Sequence, residues 1–404
     1  MKKRITGLIV LLAASHTVVL FVSPSGQSTG VKSDSYLYKP VAARIPSLDT
    51  LPEIRDFVID MDRELDRSGT VGAAYTIVEG GRVLFTHTHG ETVLGSGKKV
   101  DEHTIFRLAS VSKGFSGALL CKLELDGLLS LDDLVAEHYD GFQLKDSLNT
   151  ADMTIRHLLS HTSGLVPYAF DNLVEAGEPL EDIVARLNEV TISAPPGKLY
   201  GYQNVMFSLV DPIAEKVSNT DYAVLMKELI FQPLGMADAS AGPLETDLHQ
   251  NLARPHVRTN KGYVAVKPHM GYYNVLPAAG VNASISDMSH WLQALLGYQP
   301  VSLPDTIGEM LSEPVIYTPL KSRYTRYWKP FRQRYYSLGW RIYFYRDRKI
   351  VYHGGYIRGY RAEVAFCPAE NIGIAFLQNS PNNLASKVIP MFFDEWFDRD
   401  EDLQ

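Results

Sequence analysis

The chain has 404 residues, of which 45% are hydrophobic and 21% charged, so its composition is that of a folded globular protein rather than a disordered or repetitive one. It has 39 Lys and Arg against 46 Asp and Glu, and the net charge of −7 argues against a general nucleic-acid-binding protein, which needs surplus basic charge. Cys121 and Cys367 are too few for a disulfide framework or a Cys-based zinc site, and we expect both to be buried as small apolar residues.

The N-terminus has the pattern of an export signal. Residues 2–4 are basic, residues 5–22 are mostly apolar, and Ser23 and Ser25 are small enough to flank a cleavage site. Residues 1–25 are therefore predicted to be a removed signal peptide or, alternatively, a retained inner-membrane anchor, because the apolar run approaches the roughly 20 residues that span a bilayer. We expect an exported, periplasmic protein, with a membrane tether through residues 5–22 if the signal is retained and a polar tether at residues 26–48.

Hydrophobic periodicity predicts a single domain at residues 49–398. In chain order, helical patterns occur at residues 54–65, 115–125, 154–160, 205–217, 287–296 and 385–397. Strand patterns occur at residues 71–78, 82–87, 338–345, 349–353, 362–367 and 372–378. Strands at both ends with helices between them predict an α/β (α+β) fold, in which an antiparallel sheet built from both chain ends is flanked by helices and a mostly helical lobe is inserted at about residues 128–297.

One stretch departs from the acidic average of the chain. Residues 314–346 contain eight Lys or Arg and seven Tyr but no Asp or Glu. Such a stretch is typical of a solvated hairpin whose tyrosines pack on its own surface. The alternative is a surface that binds anionic lipid head groups, an acidic polymer or the substrate.

Several kinds of cofactor and metal site lack support in the sequence. The chain has no Walker A loop, no Gly-x-Gly-x-x-Gly and no His-Glu-x-x-His. We therefore expect chemistry that uses no organic cofactor and no metal.

The pair Ser110 and Lys113 is the first candidate for catalysis. Three residues are just under one helical turn, so the two side chains share one face of the helix that begins here. A serine hydroxyl needs a base to become a nucleophile, and a lysine can be that base if burial or a nearby cation disfavours its charge. By itself the pattern Ser-x-x-Lys is weak, because it occurs by chance in long chains.

Two later segments strengthen the interpretation. Tyr202 and Asn204 precede a predicted helix, and a tyrosine next to a lysine can transfer protons while an asparagine can orient a substrate amide. The segment His353-Gly354-Gly355 ends a predicted strand, where the two glycines allow a ligand to lie close to the strand edge. Ser-x-x-Lys combined with later elements of this kind is the pattern of β-lactamases and penicillin-binding proteins.

The chain as a whole resembles the class C β-lactamase-like serine hydrolases, which include D-alanyl-D-alanine carboxypeptidases, D-aminopeptidases and family VIII carboxylesterases. The resemblance covers about residues 51–397. It rests on six segments in the order of the family, at residues 106–113, 154–165, 202–204, 278–281, 338–340 and 353–355.

The resemblance implies roles for individual residues. Ser110 would be the acylated nucleophile, and Lys113 and Tyr202 would handle protons, with the choice of base left open. Asn204 would orient the substrate. The backbone N–H groups of Ser110 and Tyr356 would form the oxyanion hole.

The chain departs from the family at one position that matters for substrate choice. Members that recognise penicillin have Lys-Thr-Gly where this chain has His353-Gly354-Gly355, so the threonine hydroxyl and the permanent cation are missing. Arg358 or Arg361 is expected to replace the cation, or else Arg361 pairs with Glu363. His157 and His161 are interpreted as structural residues rather than members of a Ser/His triad.

These patterns predict a serine hydrolase that cleaves an ester or amide of a small molecule or a cell-wall peptide through an acyl-serine intermediate. Because the Lys-Thr-Gly element is missing, an esterase or a D-Ala-type peptidase is favoured over a true β-lactamase. The alternative is a non-catalytic, penicillin-binding-like envelope protein that uses the fold and its basic residues 314–346 for binding.

Overall fold

The computed structural model describes residues 51–244, 251–298, 304–319, 327–328 and 331–401. The predicted signal or anchor at residues 1–25 and the polar tether at residues 26–48 lie outside these ranges. Among the helices in the described ranges, none has both the length and the apolar character needed to cross a membrane.

An eight-stranded antiparallel sheet forms the centre of the structure. In chain order the strands are β1 (Gly72–Glu79), β2 (Arg82–Gly90), β3 (Phe106–Arg107), β4 (Ser240–Ala241), β5 (His256–Thr259), β6 (Gly262–Ala265), β7 (Val281–Ala283), β8 (Ile316–Tyr317), β9 (Phe331–Tyr336), β10 (Arg341–Tyr345), β11 (Arg348–Ile357), β12 (Tyr360–Cys367) and β13 (Ile372–Gln378). The order in the large sheet is β2-β1-β13-β12-β11-β10-β9-β8. The strands β3, β7 and β4 form a small second sheet, and β5 and β6 form a separate hairpin.

Strands β1 and β13, which are far apart in the sequence, are neighbours near one edge of the large sheet. Strand β1 pairs with β13, and the register places Ala73 opposite Gln378 and Glu79 opposite Ile372. The prediction of an antiparallel sheet built from both chain ends is therefore confirmed.

Helices cover both faces of this sheet. In chain order they are α1 (Arg55–Ser68), α2 (Ser112–Leu125), α3 (Val135–His138), α4 (Ser147–Ala151), α5 (Ile155–Leu159), α6 (Asp171–Ala176), α7 (Leu180–Val184), α8 (Asn204–Ser208), α9 (Val210–Ser218), α10 (Tyr222–Leu225), α11 (Leu276–Ala279), α12 (Ile285–Leu295), α13 (Asp305–Ser312) and α14 (Ala385–Glu401). The helices from α3 to α10 lie between the two groups of strands in the sequence and form the inserted, mostly helical part that was predicted.

The sheet separates two hydrophobic cores. Along β13, Ile374 and Phe376 point into the core formed with α1 and α14, whereas Ala375 and Leu377 point into the larger core around α2 and α12. Successive side chains of a strand alternate between its faces, so a strand buried on both faces has an almost continuous apolar sequence.

Helix α2 lies in the larger core and is buried along most of its length. Two glycines allow this close packing. A Cβ at Gly114 would lie 2.5 Å from the Trp340 ring, and a Cβ at Gly117 would lie 2.3 Å from the Leu338 carbonyl oxygen. The segment that contains Leu338 and Trp340 is therefore pressed against the start of α2, which fixes the position of that helix end.

The structure differs from the sequence-based elements in two places. The helix predicted at residues 205–217 is divided into α8 and α9 at Leu209. Within the basic stretch, Tyr336, Tyr343 and Tyr345 are buried, and β9 and β10 continue the large sheet. The prediction of a solvated hairpin is therefore wrong for β9 and β10, because β10 pairs with β11, β9 pairs with β10, and the three tyrosines named above are buried.

Candidate active site

Ser110 lies in a 3₁₀ turn, Ala109–Val111, directly before α2. The preceding residue, Ala109, has a φ of 47°, a left-handed conformation that is rare for a residue with a side chain. Such backbone strain is typical of functional sites, where the surrounding packing maintains it. Here it places the Ser110 side chain at the mouth of a cleft instead of in the core around α2.

Lys113 lies one turn after Ser110 and is completely buried. Its Nζ is 2.8 Å from Asn204 Oδ1, 2.9 Å from the Ala278 carbonyl oxygen and 3.5 Å from Ser110 Oγ. Burial holds the pKa of the Lys113 amine well below its usual value, and the charge of Arg341 lowers it further, although Asp171 acts in the opposite direction. A neutral amine has two N–H groups and one lone pair. If its N–H groups are given to Asn204 and Ala278, the lone pair is left for the Ser110 hydroxyl.

Asn204 connects Lys113 to a buried carboxylate. Its Nδ2 donates to both oxygens of Asp171, at 3.1 and 3.0 Å, which leaves Oδ1 to accept the bond from Lys113. Burial raises the pKa of Asp171 to about 6, against the opposing effects of Asn204 and Lys113. The two hydrogen bonds to Asp171 thus fix which end of the Asn204 amide faces Lys113.

Tyr202 lies on the other side of the nucleophile. The Tyr202 ring centre is 4.8 Å from Lys113 Nζ. Burial raises the pKa of Tyr202 above its usual value, although the Ser110 side chain is close enough to lower it in part. The pKa values of the two candidate bases are thus shifted in opposite directions, which favours a neutral Lys113 and a protonated Tyr202.

His353 is buried behind Tyr202 and contacts Arg341. Its Nε2 is 2.9 Å from Arg341 Nη1 and 3.1 Å from the Tyr336 hydroxyl, while Nδ1 is 3.1 Å from the Gly354 carbonyl oxygen. Two donors face Nε2 and an acceptor faces Nδ1, so the imidazole is neutral with its proton on Nδ1. Burial lowers the pKa of His353 well below its usual value, and the charge of Arg341 adds to this effect.

The two glycines after His353 allow β11 to approach the nucleophile. A Cβ at Gly355 would lie 2.0 Å from the Leu108 carbonyl oxygen and 3.1 Å from Ser110 N, so a larger residue would collide with the backbone next to Ser110. A Cβ at Gly354 would lie 2.5 Å from the Glu363 carboxylate. Gly355 therefore sets the distance between β11 and the turn that carries Ser110.

The backbone of Tyr356 follows directly on this close approach. Ile357 and Tyr360 face each other across a two-residue turn, and Tyr356 faces Arg361. Hydrogen-bonded and non-hydrogen-bonded pairs alternate along an antiparallel ladder, with a hydrogen-bonded pair closing a two-residue turn. The N–H of Tyr356 is thus expected to point away from β12, and its side chain is 62% exposed. This orientation fits the role in an oxyanion hole that the family resemblance implies.

These residues line a cleft with a volume of about 160 Å³. The side chains and backbone around it are those of Ser110, Tyr168, Asp171, Tyr202, Asn204, Tyr272, Ala279, Arg341, Tyr352, Gly354, Tyr356, Ile357 and Arg361. Ser110, Tyr202, Asn204, Gly354 and Tyr356 were predicted from the sequence. Lys113 and His353 are buried immediately behind this lining.

The two arginines proposed as replacement cations have different positions. Arg358 is exposed in the β11–β12 turn and does not line the cleft. Arg361 does line it, but its Nε is 2.5 Å from the carboxylate of Glu363, as the alternative reading of the sequence expected. The cation that faces the cleft without such an ion pair is Arg341.

The other histidines and the cysteines have structural surroundings. His157 caps the start of α5 by accepting the Thr154 N–H at its Nδ1, at 3.1 Å. His161 accepts the N–H of Gln203 at 3.2 Å, and its ring centre is 4.2 Å from that of Tyr202. Cys121 and Cys367 are both free and buried.

Sequence reasoning missed Asp171 and Arg341. Asp171 has no motif around it. Tyr168 and Phe170, just before it, have φ values of 59° and 61°, and the sequence contains no pattern that predicts this left-handed conformation. Arg341 follows directly after the segment 338–340, but it was assigned only to the basic stretch. Its position immediately after a motif of the family was a signal that could have identified it.

A metal ion has one candidate group of ligands among the described residues. Asp133, Glu137 and His138 have ligand atoms that all lie within 4.8 Å of one another. His138 Nε2 is already 3.0 Å from an Asp133 oxygen, and none of the three lines the cleft. This group therefore has no part in the candidate active site.

Comparisons with known proteins identify the family of the chain. A family model described as Beta-lactamase matches residues 58–389. Among curated proteins, the chain is 26% identical over 373 residues to the Unguisins hydrolase ungD of Aspergillus violaceofuscus (strain CBS 115571), covering 83% of this chain and 63% of that protein. It is 22% identical over 341 residues to Protein flp of Staphylococcus aureus (strain MW2), covering 81% of this chain and 64% of that protein. The chain thus spans less than two thirds of the length of these relatives.

A solved structure supports the fold. The octameric penicillin-binding protein homologue from Pyrococcus abyssi superposes with a TM-score of 0.72 and 22% sequence identity, over 85% of this chain and 77% of that one. At this level of identity the likeness concerns the fold, and the chemistry has to be argued from the residues of the cleft.

Proposed function

The chain belongs to the β-lactamase family, and from this premise we propose that it is a serine hydrolase that cleaves an ester or amide bond through an acyl-serine intermediate. The observation that carries the proposal is the position of Ser110 beside two proton-handling groups, Lys113 with its Nζ at 3.5 Å from Ser110 Oγ and Tyr202, whose pKa Ser110 influences. A serine held only for structural reasons would need neither of them.

We propose Lys113 as the general base. Its burial favours the neutral amine, and its two N–H groups have fixed acceptors in Asn204 and Ala278. The lone pair can then take the proton of Ser110 Oγ while that oxygen attacks the substrate carbonyl carbon. Tyr202, whose pKa is raised, keeps its proton and serves as a hydrogen-bond donor.

The remaining steps follow from the same groups. The negative charge that develops on the carbonyl oxygen is bound by the backbone N–H groups of Ser110 and Tyr356. As the tetrahedral intermediate collapses, the proton held by Lys113 passes to the leaving alcohol or amine, with Tyr202 next to the path. A water molecule then attacks the acyl-serine, gives one proton to Lys113 and releases the acid, and Ser110 regains its proton.

Arg341 supports a substrate that carries a negative charge. Its guanidinium faces the cleft, and its hydrogen-bond partner is a neutral histidine, His353. Arg341 is half-buried and forms no ion pair with a described carboxylate, although the charge of Glu363 is near enough to interact with it, so a ligand with a negative charge would be stabilised there. We therefore place the acidic group of the substrate at Arg341 rather than at Arg358.

The missing Lys-Thr-Gly element supports an esterase or a D-Ala-type peptidase over a β-lactamase. In place of the lysine there is the neutral imidazole of His353, and in place of the threonine there is Gly354. A relative named a hydrolase of unguisins is compatible with activity outside the β-lactams. We propose further that the protein is exported, on the basis of the signal-like residues 1–25.

Covalent labelling tests the proposed nucleophile. The intact mass of the full chain is measured after treatment with a fluorophosphonate, for the natural protein, Ser110→Ala and Ser147→Ala. We expect one adduct on the natural protein and on Ser147→Ala, whose serine is exposed on α4, and none on Ser110→Ala. Equal labelling of all three proteins, or of none, would remove the proposal and favour a binding protein without catalysis.

Turnover distinguishes the substrate classes. Hydrolysis of a p-nitrophenyl ester is compared with that of a chromogenic cephalosporin under the same conditions. We expect the ester to be the better substrate. A cephalosporin kcat/KM near the diffusional ceiling of about 10⁸ M⁻¹s⁻¹ would reverse this ranking.

A further inference from the structure

A second cavity lies next to the catalytic cleft and differs from it in character. It has a volume of about 300 Å³, and its lining includes the apolar side chains of Leu252 and Met270. Three cationic side chains also face it, those of Arg107, Arg254 and Lys267. We refer to this space as the basic cavity.

The part of the chain that the structure describes places no acidic group in the lining of the basic cavity. Among the described residues, none of its three cations takes part in an ion pair. The sequence itself has no acidic residue between positions 251 and 286. Like charges in a common apolar space repel one another, so the arrangement is more favourable when an anion is bound.

Arg107 gives the basic cavity a fixed cation. This side chain is only 2% exposed, and it donates from Nη1 to the His269 carbonyl and from Nη2 to the Gly271 carbonyl. Its guanidinium carbon lies 3.7 Å from the ring centre of Tyr273. Arg107 Nε has no hydrogen-bond partner in the described structure. The guanidinium is therefore held in place, while its Nε has no acceptor and no described carboxylate forms an ion pair with it.

We propose that the basic cavity is a second binding site for a small anionic amphiphile, a ligand with a carboxylate or phosphate head and a short alkyl body. The head would be bound by Arg254 and Lys267 in charge-assisted hydrogen bonds. The buried Arg107 cation would add electrostatic attraction. The alkyl body would pack against Leu252 and Met270, and it would cover the Met270 side chain, which is otherwise 57% exposed to water.

The position of the basic cavity links it to catalysis. Residues 270–273 form a wall shared with the cleft, because Tyr272 lines the cleft while Met270 and Tyr273 line the basic cavity. Tyr360 on the cavity side likewise follows closely on Ile357 on the cleft side. A bound amphiphile would thus contact the same chain segment that shapes the substrate cleft.

Calorimetric titration of the full-length Ser110→Ala protein tests the proposal, because this variant cannot turn over a ligand. The probes are octanoate, octyl phosphate, the neutral octanamide, and acetate as a head group without the alkyl body. We expect octanoate or octyl phosphate to bind at least about tenfold more tightly than octanamide and acetate. Which of the two anions binds more tightly identifies the head group. Octanamide binding as tightly as octanoate, or no binding of any probe, would overturn the proposal.

Two charge-matched double variants show where the ligand binds. Arg254→Gln with Lys267→Gln removes two cations of the basic cavity, whereas Arg258→Gln with Lys261→Gln removes two from the β5–β6 hairpin outside it. We expect the first pair to weaken octanoate binding by at least about tenfold and the second to leave it unchanged. Equal losses would mean that only the general positive charge of this surface matters, and the proposal would be wrong.

A third measurement separates the basic cavity from the catalytic cleft. The natural protein is first phosphonylated at Ser110 with a fluorophosphonate, which releases fluoride, and is then titrated with octanoate. Undiminished binding is expected, because the label fills the cleft alone. Loss of binding would place octanoate in the cleft and overturn the proposal, without affecting the assignment of Ser110 as the nucleophile.

Discussion

The side-chain oxygen of Asn204 accepts a hydrogen bond from Lys113 Nζ at 2.8 Å, while the amide nitrogen of the same residue donates to both oxygens of Asp171. Because an ionised carboxylate has no proton to donate, Asp171 fixes the orientation of the amide, and the amide in turn fixes the amine. A buried carboxylate thus positions the proposed base without touching the nucleophile.

Removing the base is expected to abolish most of the activity. Lys113→Met fills the same buried space without an amine, and general-base catalysis contributes about 100- to 10,000-fold to the rate, so kcat/KM should fall by that range. The measurement is ester hydrolysis at fixed pH. Lys122→Met, which removes the ion pair with Asp126 at the exposed end of α2, is the control. A Lys113→Met protein that is folded by circular dichroism and retains more than a tenth of the activity would contradict Lys113 as the base.

Asp171 is expected to control the pH dependence. Its negative charge raises the pKa of Lys113, so the neutral amine is lost at a higher pH than it would be without Asp171. In Asp171→Asn the pKa of Lys113 falls further, and the acid limb of kcat/KM should move to lower pH. The profile is measured between about pH 4 and pH 9 for this variant and for Asp182→Asn, which lies in α7 outside the cleft. An acid limb at the same pH in all three proteins would contradict the assigned electrostatic coupling.

Asp171 is also expected to make the free energy of unfolding depend on pH. Because burial raises the pKa of Asp171 to about 6 from 3.8, the folded protein binds more protons than the unfolded chain between these values. The contribution of this group to the free energy of unfolding is therefore fully present below about pH 3.8 and is lost as the pH rises through about 6. Denaturation of Asp171→Asn should lack this contribution, and a difference from the natural protein that does not change with pH would contradict it.

Gly355 is expected to be needed for activity because of the space around it. In Gly355→Ala the new methyl group would meet the Leu108 carbonyl oxygen at 2.0 Å, so β11 has to move away from Ser110 and the oxyanion hole widens. Losing one oxyanion donor costs about 100- to 1,000-fold in kcat, and we expect a loss of that size. Gly95→Ala, at a site with nothing within 4 Å of the new Cβ, is the control. Normal turnover by a folded Gly355→Ala protein would show that β11 does not form the oxyanion hole.

Arg341 is expected to select for anionic substrates. For two esters that differ only in a carboxylate and a carboxamide, Arg341→Gln should lower the ratio of their kcat/KM values by about 10- to 100-fold, since hydrogen bonds to charged groups contribute about 1.5–3 kcal/mol. Arg358→Gln, outside the cleft, should leave that ratio unchanged. Arg341→Lys keeps the charge and should restore part of the preference. An unchanged ratio in Arg341→Gln would place the acidic group of the substrate elsewhere.

The parts of the fold that repeat a simple period were predictable from the sequence. The apolar stripe from Ile54 to Leu65 lies along α1, which buries one face, and the apolar run at residues 372–378 is β13, which is buried on both faces. Both patterns are visible in the sequence alone. By contrast, β9 was missed. Its sequence is basic and aromatic, and it becomes a strand only because β10 and β8 pair with its two edges. A strand that forms because of such tertiary pairing has no clear strand pattern in its own sequence.

The residues of the active site also fall into two groups, those that local sequence spacing predicts and those that only the assembled fold brings together. Ser110 and Lys113 are close in sequence, and their relation follows from helical geometry alone. Asp171 and Arg341 reach the cleft from a short helix and from a strand, respectively, and no spacing in the sequence relates either of them to Ser110. The opposite pKa shifts of Lys113 and Tyr202 also depend on burial, which only the assembled fold determines.

The pairing of β1 with β13 has a consequence for how the protein is made. Ser110 leaves the ribosome well before β11, and β1, which pairs with β2 on one side, lacks its other neighbour until β13 has been synthesised. Contacts between residues so distant in sequence form slowly, and a waiting strand with an open edge is prone to aggregation. A translation product that stops short of the last strands would therefore be catalytically silent and would depend on chaperones for its solubility.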